Sequence, residues 1–339
     1  MQNLDLLTTS DWTDYELIDT GNREKLERFG KYILIRPEPQ AVWQKSMAES
    51  EWEKISHARY VRMKGKKTTP DEHERGSWNR KPKMPDQWTI GYRYKQMNLN
   101  FRLGLTAFGH IGVFPEQAIN WNYVYDLVTQ RSKLKDPASR VPCPASRDED
   151  PASRVPCPAS RDEDPASRVP RPASRILNLF AYTGGTSLAA KAAGADVVHV
   201  DSVKPVITWA KEMMTASGLD NIRWVVEDAM NFVRREVKRG NQYDGIILDP
   251  PAYGRGPDGE KWILEDSIDE IIAISKQILE PEHGFFVLSL YSMGFSALIP
   301  ENLVKTRFGD IPGMQSGEFY FEDKAKRKLP LGTFLRFAK

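Results

Sequence analysis

Cysteine is almost missing from this chain. Its 339 residues include two, Cys143 and Cys157, and both fall inside a repeated proline-rich tract. That excludes a disulfide framework and a cysteine-built zinc site, and no metal is expected. Long apolar runs are missing as well: none reaches the roughly 18 residues of a membrane-spanning helix. There is little excess of charge, since 48 Lys and Arg against 46 Asp and Glu leave a net +2. A nucleic-acid partner must therefore be argued from local patches rather than from the whole field. The opening MQNLDLLTTSDW has neither the basic start nor the apolar core of a secretion signal. A cytoplasmic protein is the expectation.

What is present divides into parts. Residues 1–110 read as a small β-rich module. Segments 15–19 and 31–36 (KYILIR) read as strands, with Gly21-Asn22 and Gly30 as turn points. Five of the nine tryptophans lie here: Trp12, Trp43, Trp52, Trp78 and Trp88. Residues 111–136 read as a connecting segment and helix. PASRVPCPASRDED then occupies 137–150, recurs unchanged at 151–164, and is followed by the truncated PASRVPRPAS at 165–174. Such a composition buries too little apolar surface to offset the entropy of ordering, so 137–174 reads as a disordered tandem repeat insertion. The alternative, a basic tether for RNA, is opposed by the Asp-Glu-Asp in each full repeat.

Residues 175–339 alternate strand-like and helix-like segments. The strands are 176–180 (ILNLF), 196–201 (DVVHVD), 223–226, 243–249 (YDGIILD) and 284–290 (GFFVLSL). The helices between them are 187–193, 205–217, 229–239 and 267–279. The alternation predicts a parallel sheet with helices on both faces, and near-continuous apolar strands fit burial on both sides.

Ligands of such sheets bind at the carboxyl ends of the strands, near the reversal of strand order. The first strand runs into FAYTGGTS at 180–187, where Gly184 and Gly185 permit a tight turn and close approach. The dinucleotide spacing Gly-x-Gly-x-x-Gly fails here and no P-loop lysine follows. A purely structural turn is the plain alternative. The second strand ends in Asp201, which can accept both hydroxyls of a ribose. The third leads to Glu227-Asp228, where a carboxylate can take an adenine amino group. Taken singly, each acid reads as a helix cap or a solvated charge; as a set they fit a nucleoside carrying no phosphates. The fourth strand ends in Asp249-Pro250-Pro251-Ala252-Tyr253-Gly254. Two prolines fix the backbone and expose its carbonyls. With Asp249 these are acceptors for the N–H groups of a planar amine, and Tyr253 can stack on a flat ring. The plain alternative is a rigid Pro-Pro turn with an aspartate cap.

The segments LNLFAYTGG, HVDSV, EDAMNFV and LDPPAYGRG resemble the successive motifs of class I S-adenosylmethionine (SAM)-dependent methyltransferases. The chain is similar to the large-subunit rRNA methyltransferase-like group. The resemblance lies with the subgroup carrying GVFPEQ, here 112–117, and DPPxxGRGPxGExW, here 249–262. It covers nearly everything except the repeats. It implies a doubly wound, Rossmann-like α/β domain over 175–339 with SAM as cofactor, behind the β-rich module. By the same resemblance, Phe180, Tyr182, Thr183 and Gly184 would wrap the methionine part, Asp201 the ribose and Asp228 the adenine edge. Asp249, Pro250, Pro251 and Tyr253 would line the acceptor pocket, and Phe114, Glu116 and Gln117 would approach SAM from the domain junction.

Two departures bear on the chemistry. Cytosine-C5 members of the broader group have a cysteine after the fifth strand, whereas here 287–292 reads VLSLYS. Covalent activation of a pyrimidine ring is thus not expected. The amine-methylating pattern has an aromatic directly after the prolines, and here Ala252 precedes Tyr253. For an RNA partner the local signal is 59–83, with Arg59, Arg62, Lys64, Lys66, Lys67, Arg75, Arg80, Lys81 and Lys83 beside Trp78 and Trp88. Asp71, Glu72 and Glu74 interrupt it. A weaker basic run is 324–328. The expected function is methylation of an rRNA base. The alternatives are methylation of a small molecule or a protein, and a non-catalytic SAM- or RNA-binding role.

Overall fold

The computed structural model describes residues 4–9, 11–63, 75–135, 173–291 and 296–339. The expectations placed on the repeats up to residue 172, on Cys143 and Cys157, on Lys64, Lys66 and Lys67 with their neighbouring acids, and on Ser292 lie outside the described residues.

The larger body is an α/β sheet. Its parallel strands are β9 (Arg175–Leu179), β10 (Asp196–Asp201), β11 (Arg223–Val226), β12 (Gly245–Leu248) and β15 (Phe285–Leu290). Two long antiparallel strands, β16 (Gln315–Glu322) and β17 (Lys328–Ala338), extend it. The spatial order is β1-β16-β17-β15-β12-β9-β10-β11. The chain runs outward from β9 through β10 to β11, then returns to place β12 on the other side of β9. The strand order therefore reverses between β9 and β12, where a crevice opens at their carboxyl ends.

Apolar sequence explains this body. All four residues of β12 and all six of β15 are buried, because helices cover both faces. On one face lie α5 (Ala229–Lys238), α6 (Leu264–Ile278) and α7 (Leu298–Phe308), packed through Phe232, Ile268, Ile271, Ile272 and Val304. Burying each such side chain contributes about 1.5–3 kcal/mol. On the other face lie α2 (Ala118–Lys135), α3 (Gly185–Ala192) and α4 (Lys204–Ala216). The small residues of α3 let α2 approach, and the Trp121 indole rests against Gly185.

The amino-terminal residues build a five-stranded sheet of β2 (Tyr15–Gly21), β3 (Glu24–Phe29), β4 (Tyr32–Pro37), β5 (Ala58–Arg62) and β6 (Gly76–Arg80), flanked by α1 (Glu49–Ile55). A hairpin of β7 (Gln87–Tyr94) and β8 (Met97–Gly104) follows. Its apolar face packs against Trp121 and Val124 of α2 in one continuous core. The short β1 (Asp5–Leu7) does not join that module. It pairs in parallel with β16 at the edge of the large sheet.

Candidate functional site

At the end of β9 the backbone turns through three left-handed residues in five: Phe180 (φ 54°), Tyr182 (φ 49°) and Gly184 (φ 87°). Left-handed backbone is strained for an aromatic residue, and such strain concentrates at functional sites. The loop is held from two directions. Tyr182 N donates to Asp201 Oδ2 at 2.9 Å, and Thr183 Oγ1 donates to the Gly112 carbonyl at 2.8 Å. Gly112 itself (φ 95°) accommodates the Trp209 ring, which a Cβ would meet at 2.3 Å.

Beneath the loop lies a buried polar chain. Asn178 Nδ2 donates to Ser187 Oγ at 2.9 Å, and Ser187 Oγ lies 3.0 Å from His199 Nδ1. Burial pushes the His199 imidazole down to about 3, so the ring is neutral at physiological pH.

The other strand ends converge on the same crevice. Asp201 closes β10, and its Oδ1 accepts from Val203 N at 2.9 Å. Burial pushes its carboxyl up, against the two backbone N–H groups that favour the charged form. Asp228 caps α5 through a bond from Asn231 N to its Oδ1 at 2.9 Å. It is therefore a helix cap, which leaves Oδ2 to face a ligand. Val203 (45 % exposed) and Val226 (42 % exposed) present apolar surface at the ends of β10 and β11. Sequence reading passed over both valines, although an apolar residue beside each candidate acid is a signal for a flat ring.

Asp249 ends β12 next to the reversal point. Burial and the nearby Glu116 carboxylate push its carboxyl up to about 7. The proline carbonyls are less available than the sequence implies. Pro251 O accepts from Trp262 Nε1 at 2.7 Å, and Ala252 O accepts from Leu264 N at 3.0 Å. These bonds fold Tyr253 into β13 (Tyr253–Arg255), paired with β14 (Lys261–Ile263), and stack Trp262 4.6 Å from Phe180. Pro250 is buried and Pro251 exposed. Asp249 is left as the principal acceptor at this strand end.

The 112–117 segment reaches the crevice as expected. Phe114 lies 5.2 Å from Tyr182, and Glu116 and Gln117 sit on a 3-10 turn, Pro115–Gln117. Gln117 Oε1 accepts from Asn120 Nδ2 at 3.1 Å and from Ser289 Oγ at 3.2 Å, so its carbonyl end is already occupied. Residues missed by the sequence reading also border the site. Burial, with Arg36 and Lys25 nearby, pushes His110 down to about 4, and its ring is 5.3 Å from Phe114. Tyr291 follows β15 directly, half exposed, with its hydroxyl donating to Glu38 Oε1 at 3.4 Å.

The basic stretches fare differently. Arg59 is tied to Glu24, Glu49 and Glu53, and Arg80 to Asp86. Lys81 donates to the carbonyls of Glu53 and Lys54. Trp78 packs on Tyr60 and bonds the Thr106 carbonyl, and Trp88 is buried. In the 324–328 run, Lys324 pairs with Glu16, Lys326 with Glu322, and Arg327 with Asp19 and Asp323. Charges neutralised this way contribute little to a phosphate-binding field.

No family model matches the chain. Among solved structures, it is similar to the SAM-dependent methyltransferase from Agrobacterium tumefaciens, at 32% identity and a TM-score of 0.76, covering 100% of this chain and 97% of that one. It is 31% identical over 150 residues to ribosomal RNA large subunit methyltransferase K/L of Shewanella baltica, covering 40% of this chain and 20% of the relative. It is 35% identical over 82 residues to ribosomal RNA large subunit methyltransferase I of Aeromonas salmonicida, covering 23% of this chain and 21% of the relative. The chain thus spans about a fifth of the length of these two relatives.

Proposed function

Because this chain belongs to the SAM-dependent methyltransferases, we propose that the crevice between β9 and β12 binds SAM and methylates RNA, with a ribosomal RNA base as the acceptor. The observation that carries the reading is the strained 180–184 loop bound to Asp201 beside Asp249, at the one place where the strand order reverses.

The residues present fit the cofactor. Phe180, Tyr182, Thr183 and Gly184 turn their backbone toward the crevice and hold the methionine part. Asp201 is fixed by two backbone N–H groups, so its remaining lone pairs point at a ribose without reorganisation cost. Val203 and Val226 flank the adenine, and Asp228 Oδ2 takes its amino group. Gln117, locked through Asn120 and Ser289, presents its amide nitrogen from the domain junction. When bound, SAM supplies a methyl group activated by the sulfonium charge. The protein's part is to align the acceptor with that methyl, a positioning effect worth up to roughly 7–11 kcal/mol. Asp249 accepts the acceptor's hydrogen bond. Pro250 and Pro251 set the direction of the strand end, and Tyr253 borders the entrance.

The RNA assignment draws on the names of the two ribosomal relatives. It places the work in the cytoplasm. The test is methyl transfer from labelled SAM to RNA, protein and small-molecule fractions of cells from which this gene has been deleted. Label in ribosomal RNA supports the reading. Label confined to another fraction overturns the choice of RNA and leaves methyl transfer standing.

A further inference from the structure

The amino-terminal module does more than cover the crevice. Strand β3 turns Lys25 and Glu27 inward, and β4 contributes Arg36, with Glu38 just beyond its end. Arg36 is consumed by Glu27, with Nε and Nη2 donating to its two oxygens at 2.8 and 3.1 Å. Lys25 Nζ lies 3.2 Å from Glu38 Oε2 and 3.7 Å from Glu27 Oε1. All four are enclosed, and the Tyr291 hydroxyl joins Glu38 to the end of β15.

Glu116 stands between this cluster and Asp249. Its carboxyl is pushed up chiefly by burial, with Glu27 adding to the rise and Lys25 and Arg36 opposing it. Among the described residues no other side chain donates a hydrogen bond to Glu116 or to Asp249. The count of charges is lopsided, with Lys25 and Arg36 facing Glu27, Glu38, Glu116 and Asp249. Both cations are already engaged by Glu27 and Glu38. Two enclosed carboxyl groups therefore remain without a donor, and enclosed acceptors are stable only when a donor arrives.

We propose that Glu116 and the Lys25–Glu38–Tyr291 link form the acceptor side of the pocket, so that the reacting atom is a nitrogen carrying hydrogen, its N–H directed at Asp249 and Glu116. The proposal rests on reading the strand ends as a methyl-transfer site. A nitrogen has the hydrogens these carboxyls lack, whereas a ring carbon or a phosphate-flanked ribose oxygen leaves them unpaired or repelled. In the step, the nitrogen lone pair forms the bond to the methyl carbon as the carbon–sulfur bond breaks. The bonding electrons leave with sulfur as a neutral thioether, and the proton shed by nitrogen passes to the Asp249 carboxylate. Glu116 touches the same N–H edge. Lys25, Glu38 and Tyr291 act through position: Lys25 and Tyr291 fix Glu38, and the exposed Tyr291 ring offers a face to the base.

The test locates the methyl group. The full chain is incubated with SAM bearing a deuterated methyl and with the three cell fractions described above, and the labelled product is fragmented by mass spectrometry. Deuterium on nitrogen supports the proposal in whichever fraction it appears; deuterium on carbon or oxygen overturns it. Which fraction is labelled tests the RNA reading separately. Two variants give an independent readout. Glu116→Gln and Glu38→Gln are expected to keep SAM affinity by calorimetry within about twofold. Glu116→Gln should lower kcat/KM for the acceptor at least tenfold, and Glu38→Gln should act mainly on KM. A matching loss of SAM affinity in Glu116→Gln would make it a cofactor contact and overturn its role here.

Discussion

Thr183 Oγ1 donates to the Gly112 carbonyl at 2.8 Å across 71 positions of sequence. The bond ties the strained loop after β9 to the segment that enters α2, and both ends are buried. Thr183→Val keeps the shape and deletes the donor, leaving a buried carbonyl unpaired. Such a loss costs about 1–3 kcal/mol. Denaturant unfolding should show a lower midpoint with an unchanged slope, and Thr183→Ser should recover most of it. SAM affinity should fall in parallel, since the loop is released. An unchanged midpoint with full SAM affinity would show that the bond holds nothing.

Arg327 joins the β16–β17 turn to the amino-terminal module. It pairs with Asp19 and with Asp323 at 2.8 Å, and neither carboxylate side chain is exposed. Arg327→Met leaves two enclosed carboxylates without their cation, a change worth about 3–5 kcal/mol. Burial acts to raise the Asp19 carboxyl, but bonds from Ser46, Met47 and Trp52 prevail and hold it low. A lowered carboxyl contributes stability that is present above its ordinary range and lost as pH falls through its folded value. The variant should be destabilised most near neutrality and converge on the parent chain in acid. A constant difference in Tm between pH 7 and pH 3 would remove the electrostatic explanation.

The difference between what sequence shows and what it hides is visible in this pair. The strands after residue 175 announce themselves because parallel strands buried on both faces are unbroken apolar runs, as in Phe285–Leu290. Their carboxyl ends follow from topology, so Asp201, Asp228 and Asp249 could be picked out. Asp19 and Arg327 stand 308 positions apart, and no local pattern links them. Glu27 and Arg36 look like the solvated face of alternating strands, yet both are buried because the module is closed over the crevice. The three-residue β1 is too short for periodicity to fix its register. The basic stretches misled for a related reason: charge counting along the chain cannot see the acids that folding brings opposite.

Asp201 and Asp249 should separate binding from transfer. Asp201→Ala removes the acceptor for Tyr182 N and Val203 N as well as the proposed ribose contact. Calorimetry should find no SAM binding to it. Asp249→Ala should bind SAM within a few-fold of the parent chain and transfer at least a hundredfold more slowly, in line with loss of one positioned polar group at a reacting centre. If Asp249→Ala turned over normally, the acceptor pocket would lie elsewhere.

The raised carboxyl of Asp249 makes the site costly to the fold, and pH exposes the cost. Burial and Glu116 hold this group near 7, whereas an unfolded aspartate titrates at about 3.9. Between those values the folded chain keeps a proton that the unfolded chain has released. The group's contribution to stability is therefore complete below the unfolded value and is lost as pH rises toward 7. Asp249→Asn cannot ionise, so it should match the parent chain near pH 4 and have the higher Tm at pH 8. Transfer should run the other way. The parent's rate at saturating SAM and RNA should rise with pH through about 7, as the accepting carboxylate forms, and Glu116→Gln should move that midpoint down by removing the repelling charge. A Tm for Asp249→Asn at or below the parent's at pH 8 would mean that the ionised carboxylate is stabilised in the fold. Its role as the group poised to take a proton from the acceptor would then fail.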